Sequence, residues 1–239
     1  LTDDPPKFIE YFDEVKIEPF SKLSLKCIAS GTPLPQITWT LDGYSINEHL
    51  RVRVGDYVTS EGHVNSFVNI SSITVQDGGL YSCQASNGVN SVFHKARINV
   101  VGSPYVKPMD NVTIVSGQTL TLHCPWSGYP IENIAWFKNG VKLPQNHRQI
   151  VYPNGTFVIK KCEVNADQDV YQCVVTNKLK EMANSSVYLK VITALLISPI
   201  NISPNLSEGM RNMLTCSVLE GDPPFKITWQ KNGQSLSDL

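Results

Sequence analysis

The sequence predicts an all-β chain of tandem antiparallel β-sandwiches, two of them complete and a third truncated. Three observations carry this. A short pattern recurs three times, a Cys, a Trp about a dozen residues on and a Gly four after that: Cys27…Trp39…Gly43, Cys124…Trp136…Gly140 and Cys216…Trp229…Gly233. Successive tryptophans lie 97 and 93 residues apart, the length of one small sandwich. The first two copies close with Asp77-Gly78-Gly79-Leu80-Tyr81-Ser82-Cys83 and Asp167-Gln168-Asp169-Val170-Tyr171-Gln172-Cys173, whereas the third reaches Leu239 before any such segment.

This spacing, with a Tyr two residues before the closing Cys, is that of immunoglobulin-like (I-set) domains. The expected boundaries are 1–101 and 102–192 for two domains and 193–239 for the N-terminal part of a third. Half a sandwich cannot bury a core, so the expectation is either that the chain is a cut from something longer or that the remainder of the third domain is disordered. In domain one, strand B is Leu23-Ser24-Leu25-Lys26-Cys27, apolar at alternate positions. Strand C carries Ile37 and Trp39 and turns at Asp42-Gly43. Strand E is Val68-Asn69-Ile70 with Ile73 beyond, and strand F holds Tyr81 and Cys83. Asn87-Gly88 reads as a type I′ hairpin turn, followed by strand G with Ala96, Ile98 and Val100 inward. Tyr81 and Tyr171 fit the tyrosine corner, whose hydroxyl bonds back to the chain.

Domain two repeats the plan with Leu120-Leu122-Cys124, Ile134-Trp136, the Asn139-Gly140 turn and Val187, Leu189 and Val191 in strand G. In the third segment Leu214-Cys216 is expected as strand B and Ile227-Trp229 as strand C, with the turn at Asn232-Gly233. All three repeat tryptophans read as core side chains packed on an inter-sheet disulfide. No Gly/Ser tether separates the modules, so neighbours are expected to touch and hold a limited range of angles.

Six cysteines give an even count that misleads. Strand position pairs Cys27 with Cys83 and Cys124 with Cys173, leaving Cys216 without a partner. Cys162 takes the apolar place that Ile73 fills in domain one and reads as a small buried hydrophobe. Each disulfide closes a loop of about 50 residues, worth roughly 4 kcal/mol in the loop-entropy account. Such bridges belong to an oxidising compartment. Six glycosylation sequons point the same way, at Asn69, Asn111, Asn154, Asn184, Asn201 and Asn205. Asn69, between Val68 and Ile70, is expected to face solvent.

Net charge is −1 and the basic residues are dispersed, which argues against nucleic acid as a partner. The longest apolar run, from Val191 to Ile197, is far too short to cross a bilayer. The opening residues do not read as a signal peptide, and any membrane anchor is expected outside this segment. His49, His63, His94, His123 and His147 lack ligand spacing and read as surface residues, with His147-Arg148 a polar turn. No H-x-x-x-H, C-x-x-C, G-x-S-x-G or phosphate-loop pattern occurs. No enzyme, metal site or cofactor is expected. Trp126 stands apart: it follows Cys124 by two, near Tyr129 and Pro130, at the end of domain two that faces domain one. It reads either as extra core or, with Tyr129, as an interdomain contact, and both readings stand at this point.

Several strings resemble one family. Gly31-Thr32-Pro33-Leu34-Pro35-Gln36-Ile37-Thr38-Trp39-Thr40-Leu41-Asp42, Val68-Asn69-Ile70-Ser71-Ser72 and Ala96-Arg97-Ile98-Asn99-Val100 are similar to the fifth immunoglobulin domain of the Dscam (Down syndrome cell adhesion molecule) family. Gly128-Tyr129-Pro130-Ile131, His147-Arg148-Gln149 and Pro153-Asn154-Gly155-Thr156 resemble its sixth. Glu208-Gly209-Met210-Arg211 and Glu220-Gly221-Asp222-Pro223-Pro224 resemble its seventh, in arthropod form. Trp126 and Cys162 depart from the pattern. The resemblance implies a single-pass cell-surface receptor of neurons and immune cells, on the extracellular side, serving self-recognition and self-avoidance of neurites. It also implies that the seventh domain pairs with an identical copy through the sheet of strands A, B, E and D. On this chain that face would include Met213, Thr215 and Ser217, close to the sequons at Asn201 and Asn205. The expected partners are therefore an identical copy, as a homodimer through the third domain, and N-linked glycans. An ectodomain that binds a different protein is the rival reading. An intracellular muscle-type array is a second rival, against which the cysteine pairs and sequons argue.

Overall fold

The computed structural model describes residues 3–202, 205 and 207–236. In domain one the strands follow as β1 (Asp4–Glu10), β2 (Val15–Ile17), β3 (Leu23–Thr32), β4 (Gln36–Leu41), β5 (Tyr44–Ser45), β6 (Val52–Val58), β7 (Val64–Ile70), β8 (Gly79–Ser86) and β9 (Ser91–Val100). They form two facing sheets, ordered β1-β3-β7-β6 and β2-β9-β8-β4-β5. Period-two patterning decides which side chains enter the core. On β3, Leu23, Leu25, Cys27 and Ala29 are buried while Ser24 is exposed. On β7, Val64, Val68 and Ile70 go in while Asn69 faces out.

Domain two repeats this with β10 (Gly102–Val106), β11 (Val112–Val115), β12 (Leu120–His123), β13 (Trp126–Tyr129), β14 (Ile131–Lys138), β15 (Val141–Lys142), β16 (Gln149–Val151), β17 (Thr156–Ile159), the short helix α1 (Val164–Asp167), β18 (Asp169–Asn177) and β19 (Met182–Ile192). Its sheets run β12-β17-β16 and β11-β19-β18-β14-β15, with β10 and β13 paired at one end. In both domains one short strand pairs parallel with the last strand, β2 with β9 and β11 with β19.

Two disulfides tie the sheets, Cys27–Cys83 and Cys124–Cys173. Trp39 lies in register with Cys83 across β4 and β8, as Trp136 does with Cys173 across β14 and β18. Both indoles are buried, and each N–H has an acceptor: Trp39 donates to Ser66 Oγ and Trp136 to the Gly155 carbonyl, both at 2.9 Å. Tyr81 and Tyr171 donate their hydroxyls to the carbonyls of Asp77 and Asp167, at 2.6 and 2.7 Å. Cys162 stands where Ile73 stands: both are fully buried. Their amides donate to matching loops, Ile73 to the Ser21 carbonyl and Cys162 to that of Gln118.

The structure corrects several sequence expectations. The type I′ geometry is found at Asp42-Gly43, Asn139-Gly140 and Asn232-Gly233, where every φ lies between 51° and 90°. Asn87-Gly88 is not such a turn, for neither residue has a positive φ. It opens a wider loop between β8 and β9, in which Asn87 Oδ1 accepts from the amides of Val89 and Asn90 while Nδ2 donates to the carbonyls of Asp4 and Pro33. A side chain that can serve four backbone groups competes with the tight turn. The second strand of domain two is also interrupted. β12 ends at His123, and Trp126–Tyr129 pairs instead with β10, because Pro125 has no N–H for the ladder.

The third segment departs furthest. Its described strands are β20 (Leu196–Ile197), β21 (Val218–Glu220), β22 (Gln230–Lys231) and β23 (Gln234–Ser235). Leu214-Cys216 and Ile227-Trp229, expected as strands, are not strands. Trp229 is half-buried rather than packed on a disulfide, and Cys216 is a free thiol. The reason is pairing. In the complete domains the tryptophan strands β4 and β14 bond to β8 and β18, and β3 and β12 bond to β7 and β17. No counterparts of those partner strands occur among the described residues of the third segment.

Candidate functional site

The most built feature outside the two cores is the junction of domains one and two. Only Val101 separates β9 from β10, and its amide donates back to the Ile17 carbonyl at 2.9 Å. Gly102 has φ 148°, and a Cβ there would lie 2.6 Å from Val75 Cγ2. The chain therefore turns without slack into β10. β13 then carries Trp126, Ser127 and Tyr129 to domain one, and Lys107 follows directly after β10. Gly78 packs so closely that a Cβ would be 3.2 Å from Ser127 Cβ.

Three side-chain pairs close this junction. The Arg97 guanidinium lies 3.5 Å from the centroid of the Trp126 ring, and Nη1 donates to the Trp126 carbonyl at 3.0 Å. Burial holds Arg97 below the usual guanidinium value, against the pull of Asp42 and Glu14. Lys107 Nζ donates to Asp42 Oδ2 at 2.8 Å and to the Gly78 carbonyl. Both partners of this ion pair are largely buried, with side-chain exposures of 17% and 5%. Burial lowers the Lys107 ammonium, and Asp42 offsets part of that. Lys16 Nζ stands 4.9 Å from the centroid of Tyr129. Trp126 also packs against the core of domain two, and its Nε1 donates to the Asn154 carbonyl. Both readings of Trp126 thus describe the same side chain.

A cavity of about 410 Å³ opens beside the junction, lined by Tyr44, His49, Val52, Asp77, Lys107 and Asp110 among others. Two of its ionic groups are already engaged: Asp77 Oδ2 accepts from Arg51 at 2.9 Å and from the Thr74 amide and hydroxyl, and Lys107 is held by Asp42. The histidines are placed apart. His94 Nε2 donates to the Phe12 carbonyl at 2.6 Å with the ring stacked on Tyr11. His123 pairs with Thr156 Oγ1. His49 Nδ1 accepts from the Arg51 amide. His63 sits 3.6 Å from Glu61, and His147 is exposed. Among the described residues no group of three His, Cys, Asp or Glu is placed to hold a metal.

Two further ion pairs, like that of Lys107 with Asp42, have no counterpart in the sequence reading. Arg51 binds Asp77 in domain one, and Arg148, expected in a polar turn, binds Asp167 at 2.7 Å in domain two. Each joins the loop before the tyrosine corner to the opposite edge of its sandwich. The available signal was an Asp four residues before each corner Tyr.

Asn69, Asn111, Asn154 and Asn184 are all exposed. Their amide oxygens are held by Ser24 Oγ, the Tyr188 amide, the Thr156 amide and Gln172 Nε2 respectively. Asn201 and Asn205 are exposed, while Ser203 and Leu206 of their sequons lie outside the described residues. Met213, Thr215 and Ser217 are exposed, but in a stretch without strand pairing. Cys162 is buried, and Cys216 is partly accessible.

Comparison with known proteins gives this geometry a family. An immunoglobulin domain model matches residues 5–87, and an immunoglobulin I-set domain model matches residues 104–191. The chain is 44% identical over 239 residues to the cell adhesion molecule Dscam2 of Drosophila melanogaster, and 40% identical over 237 residues to human DSCAM. These matches take in 100% and 99% of the chain and 12% of the length of each relative. The crystal structure of the N-terminal eight Ig domains of DSCAM superposes with a TM-score of 0.92 at 41% identity, covering 99% of this chain and 31% of that one. Among the described residues no helix is long and apolar enough to cross a membrane. The chain belongs to the Dscam family of immunoglobulin-domain cell adhesion molecules.

Proposed function

We propose that this chain is an extracellular stretch of a cell-surface receptor that recognises an identical copy of itself, in the manner of neuronal self-recognition and self-avoidance. We infer further that it corresponds to the fifth, sixth and seventh immunoglobulin domains of such a receptor. The observation that carries the reading is the unbroken likeness, in order and over 99% of the chain, to an eight-domain adhesion ectodomain. The disulfides and the exposed sequons support a secreted, glycosylated location. The junction of Arg97, Trp126, Lys107 and Asp42 supports a receptor whose domains hold a defined course, as a surface presented to another copy requires.

The self-pairing face is assigned to Met213, Thr215 and Ser217. These side chains carry no charge to meet its like across a two-fold axis, where each patch faces itself. The test uses a chain carried through a whole third domain and displayed on beads. Beads of one kind should aggregate with one another, and a Thr215→Lys variant should lose aggregation because like charges then meet near the axis. Beads that stay dispersed while binding a different surface protein would replace self-recognition by recognition of another ligand. Normal aggregation by the Lys variant would move the interface to another face.

A further inference from the structure

On the outer face of domain one, where β3, β6 and β7 lie side by side, a groove of about 400 Å³ is formed around a sequon asparagine. Asn69 stands at its centre. Its direct cross-strand neighbours are Ser24 on β3 and Arg53 on β6. The Ser24 hydroxyl donates to Asn69 Oδ1 at 2.6 Å. The amide oxygen is thereby engaged, and the nitrogen is the end Ser24 leaves alone. Ser71, the third residue of the sequon, lines the same groove. Lys22 and Leu50 also line it, and Leu50 is 95% exposed. Arg51 also lines the groove, but its guanidinium is turned to Asp77 and the Ser72 carbonyl.

We propose that this groove is the seat of the chain's own N-linked glycan, attached at Asn69 and folded back over Leu50 between Lys22 and Arg53. The chemistry of the lining fits a sugar better than a peptide or an ion. An N-acetylglucosamine presents an apolar ring face and an acetyl methyl, which suit the isobutyl group of Leu50, and a rim of hydroxyls, which suit the donors of Lys22 and Arg53. Covalent attachment at the centre of the groove supplies a high effective concentration, so weak contacts suffice for occupancy. The bond itself is made by a transferase, which joins the sugar's anomeric carbon to Nδ2 and releases a lipid pyrophosphate and the amide proton. This inference rests on the secreted, glycosylated reading above, and it can fail separately from it.

The test is hydrogen exchange followed by mass spectrometry on the 239-residue chain secreted from eukaryotic cells, each sample compared with itself after enzymatic removal of N-glycans. Peptide mass gives site occupancy. In wild type, Asn69 should be occupied, and amides of residues 49–54 should exchange about tenfold faster once the glycan is removed, the scale of losing one apolar side chain's cover. Leu50→Ser should keep the glycan and lose that difference. Because Leu50 is solvent-exposed, the variant leaves the core intact. Lys22→Gln with Arg53→Gln should reduce the difference with Leu50 in place. Ser71→Ala removes the sequon and should exchange like deglycosylated wild type throughout. An occupied Asn69 with equal exchange in wild type and Leu50→Ser overturns the seat. Glycans on other sequons but none at Asn69 overturn it while leaving the secreted reading standing. A chain with no glycan at any sequon overturns both.

Discussion

The guanidinium of Arg97, on the last strand of domain one, lies over the ring of Trp126 in domain two, 3.5 Å from its centroid, and donates to that residue's carbonyl. A desolvated cation–π contact contributes about 2 kcal/mol, enough to bias the angle between two sandwiches joined by one residue. Arg97→Met keeps the stem and removes the charged plane, so it is the cleaner probe. It should fold with both disulfides formed and give a broader distribution of interdomain distances, read by small-angle scattering or by paired labels. Trp126→Ala should broaden it too and also lower the melting temperature of domain two, whose core the indole touches. Unchanged distances in Arg97→Met would mean that the junction is held elsewhere.

Asp42 has a double task. Oδ1 caps the Leu80 amide within domain one, and Oδ2 receives Lys107 from domain two. Asp42→Asn can keep the first bond while it uncharges the second. Hydrogen bonds to charged groups contribute about 1.5–3 kcal/mol, and a loss of that size is expected in denaturant unfolding of the first transition. Because the pair is largely buried, the difference between variant and wild type should hardly change between low and moderate salt. A difference that salt abolishes would mark the pair as a surface contact.

What could be read in advance followed from local or covalent rules. Cys27, Trp39 and Cys83 are legible because strand alternation and disulfide spacing fix them before any tertiary contact is known. Tyr81 and Tyr171 are legible for the same reason. The Arg51–Asp77 and Arg148–Asp167 pairs were not, since ion pairs between residues 26 and 19 apart in sequence leave no periodic mark. Asn87-Gly88 misled because the dipeptide states only a tendency, and Asn87 spends its amide on Asp4 and Pro33, which lie far away in sequence. The groove around Asn69 needed β6 beside β7, which no spacing announces. Leu214–Cys216 misled because alternation describes what a strand would bury, and it cannot supply the strand that pairs with it.

The two ends of the pH range should act on different groups of one corner. Burial alone would raise the Asp77 carboxyl, but the hydrogen bond from Arg51, those from Thr74 and the charge of Arg51 outweigh it, and the carboxyl is held below its ordinary value. A depressed folded-state value contributes stability that is full above about pH 4, the unfolded value, and is lost as pH falls through the folded one. Tyr81 is the reverse: burial, then Asp77 and Asp42, push its phenol up. Its contribution is full below about pH 10 and is lost as pH rises toward the folded value. Denaturant midpoints measured at pH 3, 7 and 11 should therefore fall at both ends. Asp77→Asn should flatten the acid limb and keep most of the alkaline one, whose first cause is burial of Tyr81 and only the second the Asp77 charge. An unchanged acid limb in that variant would assign acid sensitivity to other carboxylates.

The free cysteines should separate by their burial. Cys162 has no exposed surface, its Sγ lies 3.8 Å from the Ile159 carbonyl, and burial pushes the thiol up from its usual value. Thiolate is the reacting form, so both access and ionisation protect it. Cys216 is partly exposed. Under native conditions at pH 8, iodoacetamide should add one label, at Cys216, within minutes. The second should appear only at denaturant concentrations that unfold domain two, tracking its unfolding curve. Cys162→Ala should abolish the second label at a cost of about 1–2 kcal/mol or less, because it removes a small apolar group from a full core. Cys162→Ser should cost more, about 1–3 kcal/mol, for a buried hydroxyl with poor partners. Rapid labelling of Cys162 in the native state, or a disulfide from Cys162 to Cys173 or Cys216 in non-reducing peptide maps, would place Cys162 outside the core and redraw the strand that Phe157 and Ile159 define.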